Sequence, residues 1–312
     1  MTDFMWSLEA VTKRLNSEVP VIARGLLYNQ AEPNDPRIKW AERAMEHVET
    51  LCAGDPLRGE SSIEAFAITS LDFLRLQARF LKTGKYAMES AEDLHSLYSA
   101  PEMMVEYLDG LALSYAMWPN HASMLGFFVE EFVLKLPAEP RVLEIGPGHG
   151  LFAALLFEHR PNAKYVAIDI SPSSLKYTER TLKALSIPAK NWRLIEADVT
   201  SPSVDGQLNS DGFDAVICSE VLEHVDRPEA ILKFMKNSLG QTGKAFATTV
   251  ANLEAVDHVF LFDSVEEIQA MIGDCGLKVL LDYPLNLPNS AASDIISVNY
   301  GAVVGLADSS GE

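Results

Sequence analysis

The chain has 312 residues, of which 48% are hydrophobic, and carries a formal net charge of −19 at pH 7. Such a charge repels nucleic acid and anionic membranes, and no basic stripe in the sequence offsets it. We therefore expect no nucleic-acid partner and no membrane partner. A small-molecule or peptide substrate fits this charge better.

The length predicts two domains, or one large domain with an appendage. No apolar run approaches the ~20 residues that a membrane-spanning helix needs, and the N-terminus shows no signal-peptide core. Cys52, Cys218 and Cys275 lack the spacing of metal ligands, which is typical of reduced thiols in a cytoplasmic protein. A cytoplasmic location is therefore the expectation.

Residues 1–136 are predicted to form a helical domain. Their apolar residues recur at helical spacing, and proline and glycine separate the successive helices. Gly54 to Glu60 is expected to be a loop. Helices are expected at 37–52, from Ser61 to about Leu81, and at about 91–98, 101–115 and 120–135.

A stretch rich in aromatic and polar residues, from Tyr107 to His121, precedes the first predicted strand. This stretch could line a substrate pocket, or it could form a helix–helix core in which Tyr115 and Trp118 pack. His121 could act as a general base or ligand, or it could be a helix cap or a satisfied hydrogen-bond partner. The sequence leaves these alternatives open.

From residue 139 the pattern becomes that of strands alternating with helices. This alternation predicts a mostly parallel, seven-stranded sheet with helices on both faces, with ligands bound beyond the carboxyl ends of the strands. A disordered tail is expected at 305–312. Strands are expected at 140–145, 164–169, 192–196, 213–218, 243–249, 277–282 and near 295–302. Helices are expected at 150–160, 173–185, 228–238 and 264–274.

The first strand runs into a glycine turn. Gly146, Gly148 and Gly150 alternate along the chain, with Pro147 between the first two, and a helical run follows. Glycine allows positive φ and lets a ligand lie against bare backbone, while the following helix N-terminus can bind an anionic group. The dinucleotide fingerprint Gly-x-Gly-x-x-Gly would need its third glycine where Leu151 stands.

Read from Glu144, the run is Glu-x-Gly-x-Gly-x-Gly. It resembles the first motif of the class I S-adenosylmethionine (SAM) methyltransferases. The resemblance covers about 139–285 in motif order and implies a Rossmann-like domain, here 137–304, that binds SAM and releases S-adenosylhomocysteine. It also implies that the helical domain forms a lid, a substrate wall or a homodimer interface.

Acids at the ends of the next two strands support a nucleotide-type cofactor. Asp169 can accept hydrogen bonds from ribose hydroxyls, and Ile170 would then pack on the adenine face. Asp198 can accept a hydrogen bond from the adenine amino group while the backbone N–H of Val199 donates to the ring. Alternatively, Asp169 caps the following helix and Asp198 is only a turn residue.

The fourth strand ends at Cys218 and Ser219, and Glu220-Val-Leu-Glu-His224 follows. This sequence resembles the fourth motif of small-molecule methyltransferases. The resemblance implies that the Cys218–Glu220 backbone borders the methionine moiety and the methyl group of SAM. Glu223 and His224 could position groups there, or they could only tie the loop to the next helix.

We therefore interpret the chain as a SAM-dependent methyltransferase that acts on a small molecule, expected to be a specialised metabolite. The reaction would be an in-line displacement at the sulfonium methyl group in a dry pocket. The rival interpretations are an NAD-dependent oxidoreductase and a non-catalytic SAM-binding or scaffold protein.

The acceptor atom is not determined by the sequence. An oxygen nucleophile would need a nearby base, for which the candidates are His121, His224 and His258, the last of them in a loop where substrate should enter. A carbon nucleophile would need aromatic side chains and a carboxylate, for which Tyr115, Trp118 and Glu220 are available. No metal site is predicted, because no ligand spacing such as His-x-x-x-His occurs.

Overall fold

The computed structural model describes residues 6–52, 56–88, 101–201, 204, 208, 212–288 and 294–307. The predicted helix at 91–98 and residues 308–312 of the predicted tail lie outside these described residues. The helices before the sheet are α1 (Leu8–Glu18), α2 (Leu27–Gln30), α3 (Pro36–Cys52), α4 (Pro56–Thr83), α5 (Pro101–Met117) and α6 (Pro119–Phe127). A π-helical turn, Phe128–Phe132, continues from α6.

The second half contains the strands and the helices between them. The strands are β1 (Arg141–Ile145), β2 (Lys164–Asp169), β3 (Trp192–Glu196), β4 (Phe213–Ser219), β5 (Leu239–Ala251), β6 (Leu277–Leu287) and β7 (Ser297–Leu306). The helices are α7 (Leu151–His159), α8 (Pro172–Ala184), α9 (Pro228–Ser238) and α10 (Val265–Asp274).

The seven strands form one sheet in the order β3-β2-β1-β4-β5-β7-β6. β1 to β5 are parallel, whereas β7 lies antiparallel between β5 and β6. The predicted fold class, a mostly parallel seven-stranded Rossmann-like sheet after a helical region, is therefore confirmed. The order reverses between β1 and β4, and ligands of open α/β sheets bind at such a switch point.

α4 begins earlier than the sequence predicts. The expected loop from Gly54 to Glu60 is wrong from Pro56 onward, because the helix already starts at this proline. Proline is tolerated in the first turn of a helix, where its missing N–H would have no partner. Gly59 lies inside this helix. The Trp6 ring packs so close to it that an added Cβ would lie only 2.6 Å from the ring.

The last strands are longer than predicted. β6 pairs with β7 along its whole length, from Leu277 opposite Leu306 to Leu287 opposite Ser297. Much of β6 is solvent-exposed, so its later residues carry little of the apolar pattern by which a strand is recognised. β7 consequently runs two residues past the domain end predicted at 304.

One buried apolar cluster joins the N-terminal helices to a face of the sheet. Phe128 packs against Phe152 of α7 and Phe246 of β5, with ring centroids 4.9 and 5.0 Å apart. The other face of the sheet packs against α9 and α10 in a second cluster. Within the described residues, no helix is both long and apolar enough to cross a membrane.

Candidate active site

The glycine turn lies at the carboxyl end of β1, next to the switch point. Gly146, Gly148 and Gly150 all have positive φ, of 66°, 53° and 75°, a region that other residues rarely adopt. Gly146, Pro147 and Gly148 line a cavity, and α7 begins directly after Gly150. The turn therefore presents bare backbone and a helix N-terminus to the cavity, as its sequence predicts.

Asp169 ends β2 and lines the same cavity, together with the exposed side chain of Ile170. Its two carboxylate oxygens accept hydrogen bonds from the Ser171 N–H (2.8 Å) and the Ser174 hydroxyl (2.6 Å) at the start of α8. Burial raises the pKa of Asp169 to about 6. Asp169 thus stabilises the start of α8, and each of its oxygens keeps a lone pair for a ligand hydroxyl.

Five of the predicted cofactor residues do not line the cavity, and Gly150 at the start of α7 is one of them. Asp198 is exposed and accepts hydrogen bonds from the backbone N–H and hydroxyl of Thr200, and neither it nor Val199 belongs to the lining. Cys218 points into the core cluster on the other face of the sheet. Glu144 is buried beneath the turn, where it accepts a hydrogen bond from the Tyr165 hydroxyl (2.6 Å).

Ser219 and Glu220 line the cavity where β4 ends. Glu220 has a φ of 51°, and its N–H donates to the Thr248 carbonyl and hydroxyl oxygens, both at 3.0 Å. Its carboxyl accepts a hydrogen bond from the Asn299 side chain of β7 (3.1 Å). Two neighbouring strands therefore fix Glu220 in a left-handed conformation, and such strain is concentrated at functional sites.

A short 3-10 turn, Leu222–His224, follows Glu220. Glu223 is fully buried, and its carboxyl accepts a hydrogen bond from the Thr249 hydroxyl (2.7 Å). The Glu223 carbonyl oxygen accepts hydrogen bonds from the N–H groups of Val259 (2.9 Å) and Phe260 (3.0 Å). This pair of bonds holds the loop after β5 against the turn after β4.

His224 and His258 meet across these two segments, with ring centroids 5.1 Å apart. The Nδ1 of His224 lies 2.7 Å from the Asp257 carbonyl oxygen, and the Nδ1 of His258 lies 2.7 Å from the Leu253 carbonyl oxygen. A carbonyl oxygen only accepts, so each Nδ1 carries the proton and each Nε2 keeps its lone pair. Both imidazoles line the cavity.

The N-terminal helices form the wall opposite the strand ends. Gln77 of α4 donates to the Asn252 carbonyl (3.1 Å) and accepts from the Glu254 N–H (2.8 Å). Tyr107 of α5 donates to the Asp257 carboxylate (2.7 Å). These contacts position the loop that carries His258. Asp257, Asn299 and Gln77 were not predicted from the sequence, because single polar residues in a loop, a strand and a helix carry no spacing signal.

His121 and Tyr115 also line the cavity. The Nδ1 of His121 lies 2.8 Å from the Ser114 hydroxyl, and its ring stacks on Tyr115 with centroids 4.6 Å apart. The ring of His149, in the glycine turn, also lies 5.1 Å from the ring of Tyr115. The stretch from Tyr107 to His121 therefore does both things that the sequence leaves open, since it packs in the core and borders the cavity.

Burial controls the charge of these groups. It lowers the pKa of His121 and His149 to about 3 and that of His258 to about 4, so these imidazoles are neutral near pH 7. Burial also raises the pKa of Glu220 to about 8, with a further contribution from the nearby Glu223 carboxyl. Near pH 7 the cavity is therefore lined by these neutral imidazoles and by a Glu220 carboxyl that largely keeps its proton.

The cavity has a volume of about 450 Å³ and extends from Asp169 and the glycine turn to the His224–His258 pair. Its outer part is lined by apolar side chains that remain exposed, namely Ile68 of α4, Met103 of α5 and Val256. A cavity of this size accommodates small molecules. One end combines the glycine turn with the Asp169 carboxylate, and the other carries imidazole groups able to bind or deprotonate a ligand.

Comparison with known proteins finds a methyltransferase domain within the chain. A profile described as a methyltransferase domain matches residues 143–245. Over 111 residues the chain is 31% identical to a malonyl-acyl-carrier protein O-methyltransferase of Paenibacillus sp. (strain JDR-2), covering 36% of this chain and 39% of that protein. Over 116 residues it is 34% identical to a ubiquinone biosynthesis O-methyltransferase of Xanthomonas axonopodis pv. citri (strain 306), covering 36% and 44%. The chain thus spans well under half of these relatives.

Solved structures share the fold over more of the chain. An O-methyltransferase family protein from Burkholderia thailandensis superposes with a TM-score of 0.54 and 14% identity, covering 80% of this chain and 72% of that one. The cyclase SpnF superposes with a TM-score of 0.51 and 15% identity, covering 64% and 76%. At such low identity these similarities establish the fold and not the reaction.

Residues 143–245 are therefore similar to a methyltransferase domain, and the chain shares the fold of a solved O-methyltransferase family protein. The match to a methyltransferase domain supports SAM as the cofactor.

Proposed function

We propose that the protein transfers the methyl group of SAM to an oxygen atom of a small-molecule acceptor. The observation that carries this proposal is the single cavity that joins the glycine turn and Asp169 to the His224–His258 pair. The O-methyltransferase relatives support an oxygen acceptor. A specialised metabolite remains the expected acceptor class.

In the proposed step, an acceptor oxygen attacks the sulfonium methyl carbon in line with the carbon–sulfur bond. The new oxygen–carbon bond forms as the bonding pair of the breaking bond goes to sulfur, which leaves neutral S-adenosylhomocysteine. The acceptor hydroxyl must lose its proton, and the neutral imidazoles around the cavity are suited to facilitate this loss. The protein contributes mainly by holding the oxygen and the methyl group close together away from water.

We propose that the cofactor end comprises Gly146, Pro147, Gly148, Asp169 and Ile170. The acceptor would then lie toward His224 and His258, with the Ser219–Glu220 backbone between the two ends. Asp198 and Val199 remain predicted adenine ligands. Their role requires an adenine ring that extends beyond the present lining of the cavity.

The first test is calorimetric titration of SAM, S-adenosylhomocysteine and NAD. We expect both adenosyl compounds to bind and NAD not to bind, because Leu151 starts α7 where a dinucleotide site would have glycine. Asp169→Ala should weaken adenosyl binding at least 10-fold, since charge-assisted hydrogen bonds contribute about 1.5–3 kcal/mol each. Asp198→Ala provides the matched comparison for the adenine end.

The second test separates methyl transfer from mere binding. SAM carrying a labelled methyl group would be incubated with panels of phenols, catechols, hydroxy acids and amines, and label in the organic product would be counted. Transfer to an oxygen acceptor is expected. Adenosyl binding without transfer to any acceptor would instead support a non-catalytic SAM-binding protein, and NAD binding in place of SAM would support an oxidoreductase.

A homodimer through the N-terminal helices also remains a prediction. Light scattering coupled to size-exclusion chromatography would give the molar mass in solution and compare it with the 34.3 kDa of one chain.

A further inference from the structure

Three potential metal-ligand atoms meet at the acceptor end of the cavity. They are a carboxylate oxygen of Glu223 and one imidazole nitrogen each of His224 and His258, and all lie within 4.8 Å of one another. Glu223 and His224 are consecutive in the 3-10 turn after β4, whereas His258 comes from the loop after β5. The fold therefore assembles a cluster that sequence spacing does not reveal.

Both histidines are oriented as metal ligands are. Their Nδ1–H groups donate to the carbonyl oxygens of Asp257 and Leu253, each at 2.7 Å. This arrangement leaves the Nε2 lone pairs available. Histidines that bind metals usually donate their other N–H to a carbonyl or carboxylate, which fixes the tautomer and the ring orientation.

The Glu223 carboxyl supplies an independent observation. Its Oε2 accepts a hydrogen bond from Thr249 (2.7 Å), but its Oε1 is buried and has no hydrogen-bond partner in the part of the chain that the structure describes. A buried carboxylate oxygen without a partner is costly. This Oε1 lies 4.0 Å from the Nε2 of His224. A cation bound between the two atoms would offset the cost of burying the oxygen.

We propose that Glu223, His224 and His258 bind one divalent transition-metal cation. Two imidazoles and one carboxylate suit zinc, iron, cobalt or manganese better than calcium or magnesium, which prefer oxygen ligands. Ligand atoms around tetrahedral zinc are roughly 3.3 Å apart, given metal–ligand distances near 2.0–2.1 Å. The present separations of up to 4.8 Å need only small side-chain rotations to contract onto an ion.

The ion would also have a place for the acceptor. His224 and His258 line the cavity while Glu223 lies behind them, so positions not filled by protein face the cavity. An acceptor hydroxyl bound there would have a lowered pKa and would present its oxygen as a nucleophile. This part of the inference rests on the proposed function and explains an oxygen acceptor, whereas the metal site itself does not depend on methyl transfer.

The direct test uses Co²⁺ as the probe, because its visible absorption reports coordination. The metal-free full-length protein would be titrated with Co²⁺ in 150 mM salt, which screens the acidic surface. We expect one equivalent to bind and to give d–d bands that disappear when Zn²⁺ displaces the Co²⁺. Glu223→Gln and His258→Asn should each weaken binding at least 10-fold, while His121→Asn, a buried histidine of the same cavity, should bind like the wild type.

The proposal is overturned if the wild type shows no stoichiometric Co²⁺ site, or if folded His258→Asn and His121→Asn bind Co²⁺ equally. Circular dichroism would show whether each variant is folded. If His258→Asn does not fold, Glu223→Gln, which keeps the side-chain shape, replaces it in the comparison with His121→Asn. If protein shown to be metal-free still transfers methyl groups at the full rate, the metal has no role in binding the acceptor. The proposal of the metal site itself would be unaffected. Stoichiometric metal binding without methyl transfer to any acceptor would instead contradict the proposed function.

Discussion

Single residues around the cavity occupy conformations that the surrounding structure must enforce. Glu220 has a positive φ without being glycine, and both β5 and β7 hold it through Thr248 and Asn299. The three glycines of the turn reach the same region of φ at no steric cost. The carboxyl ends of β1 and β4 are thus both built from left-handed backbone, which turns the chain away from the sheet and leaves room for ligands.

The glycine turn makes a prediction about stability. Gly150→Ala should lower the free energy of unfolding by about 1–2 kcal/mol, because alanine is strained at positive φ. Its Cβ would also lie 3.0 Å from Thr181. Gly273→Ala is the matched control, since this helical glycine has no atom within 4 Å of an added Cβ. Alanine at this position should raise the free energy of unfolding by about 0.5–1 kcal/mol. Urea unfolding measures both, and equal effects would contradict the prediction.

Glu144 makes a prediction about pH. Burial raises its pKa from 4.5 to about 8, so the folded state keeps a proton that the unfolded state loses above pH 4.5. Stability from this group is complete below pH 4.5 and is lost as pH rises toward 8, at up to ~1.4 kcal/mol per pH unit. Glu144→Gln cannot ionise, so its stability relative to the wild type should increase from pH 5 to pH 8. Urea unfolding at pH 5, 6.5 and 8 checks this, and a difference independent of pH would contradict it.

At the scale of elements, α4 and α5 control the loop that carries His258. Gln77 makes hydrogen bonds with Asn252 and Glu254 of this loop and with Ser297 at the start of β7. Tyr107 adds a hydrogen bond to Asp257. The helices therefore form part of the cavity wall near the His224–His258 pair.

Gln77→Ala should loosen this loop. The buried groups that Gln77 now bonds would lose their partners, at about 1–3 kcal/mol for each that water does not reach. Amide hydrogen exchange measured by mass spectrometry should become faster in peptides covering 252–260. Arg75 lies on the same helix and its side chain is largely exposed, so Arg75→Ala should leave the exchange of these peptides unchanged. Equal exchange rates in the two variants would contradict the prediction.

The geometry of the proposed cofactor end could be predicted from the sequence, whereas most of the geometry of the proposed acceptor end could not. β1, the glycine turn, α7 and β2 are consecutive, so their residue types and spacing report their joint geometry. The pairing of His224 with His258, and the contacts of Asn299 and Gln77, depend on strand order and helix packing between segments far apart in the chain. For Asp198 and Glu144 the sequence predicts a place in the site, but their side chains lie outside the cavity lining.

At the scale of the whole molecule, the helices and the sheet share one core. Buried apolar residues from α1 to the π-helical turn belong to the same cluster as residues of β1, α7, β5 and β7. Neither part buries its apolar surface without the other. We therefore expect residues 1–136 and 137–304 to unfold together, although the sequence places a domain boundary between them.

Tryptophan fluorescence can test this expectation. Trp6, Trp40 and Trp118 lie before residue 136, and Trp192 lies on β3. In Trp192→Phe the fluorescence reports only on the helical region, while circular dichroism reports on the whole chain. The two urea transitions should coincide. A later step in circular dichroism without a change in fluorescence would show that the sheet region is stable alone.

The exposed apolar rim of the cavity has a consequence for evolution. Ile68, Met103 and Val256 come from three separate segments, none of which includes the glycine turn. Substitutions at the rim would alter which molecules enter while leaving the cofactor cradle and the core intact. Related proteins could therefore diverge in acceptor by drift at these few positions, and a library restricted to them would be the smallest search for a new specificity.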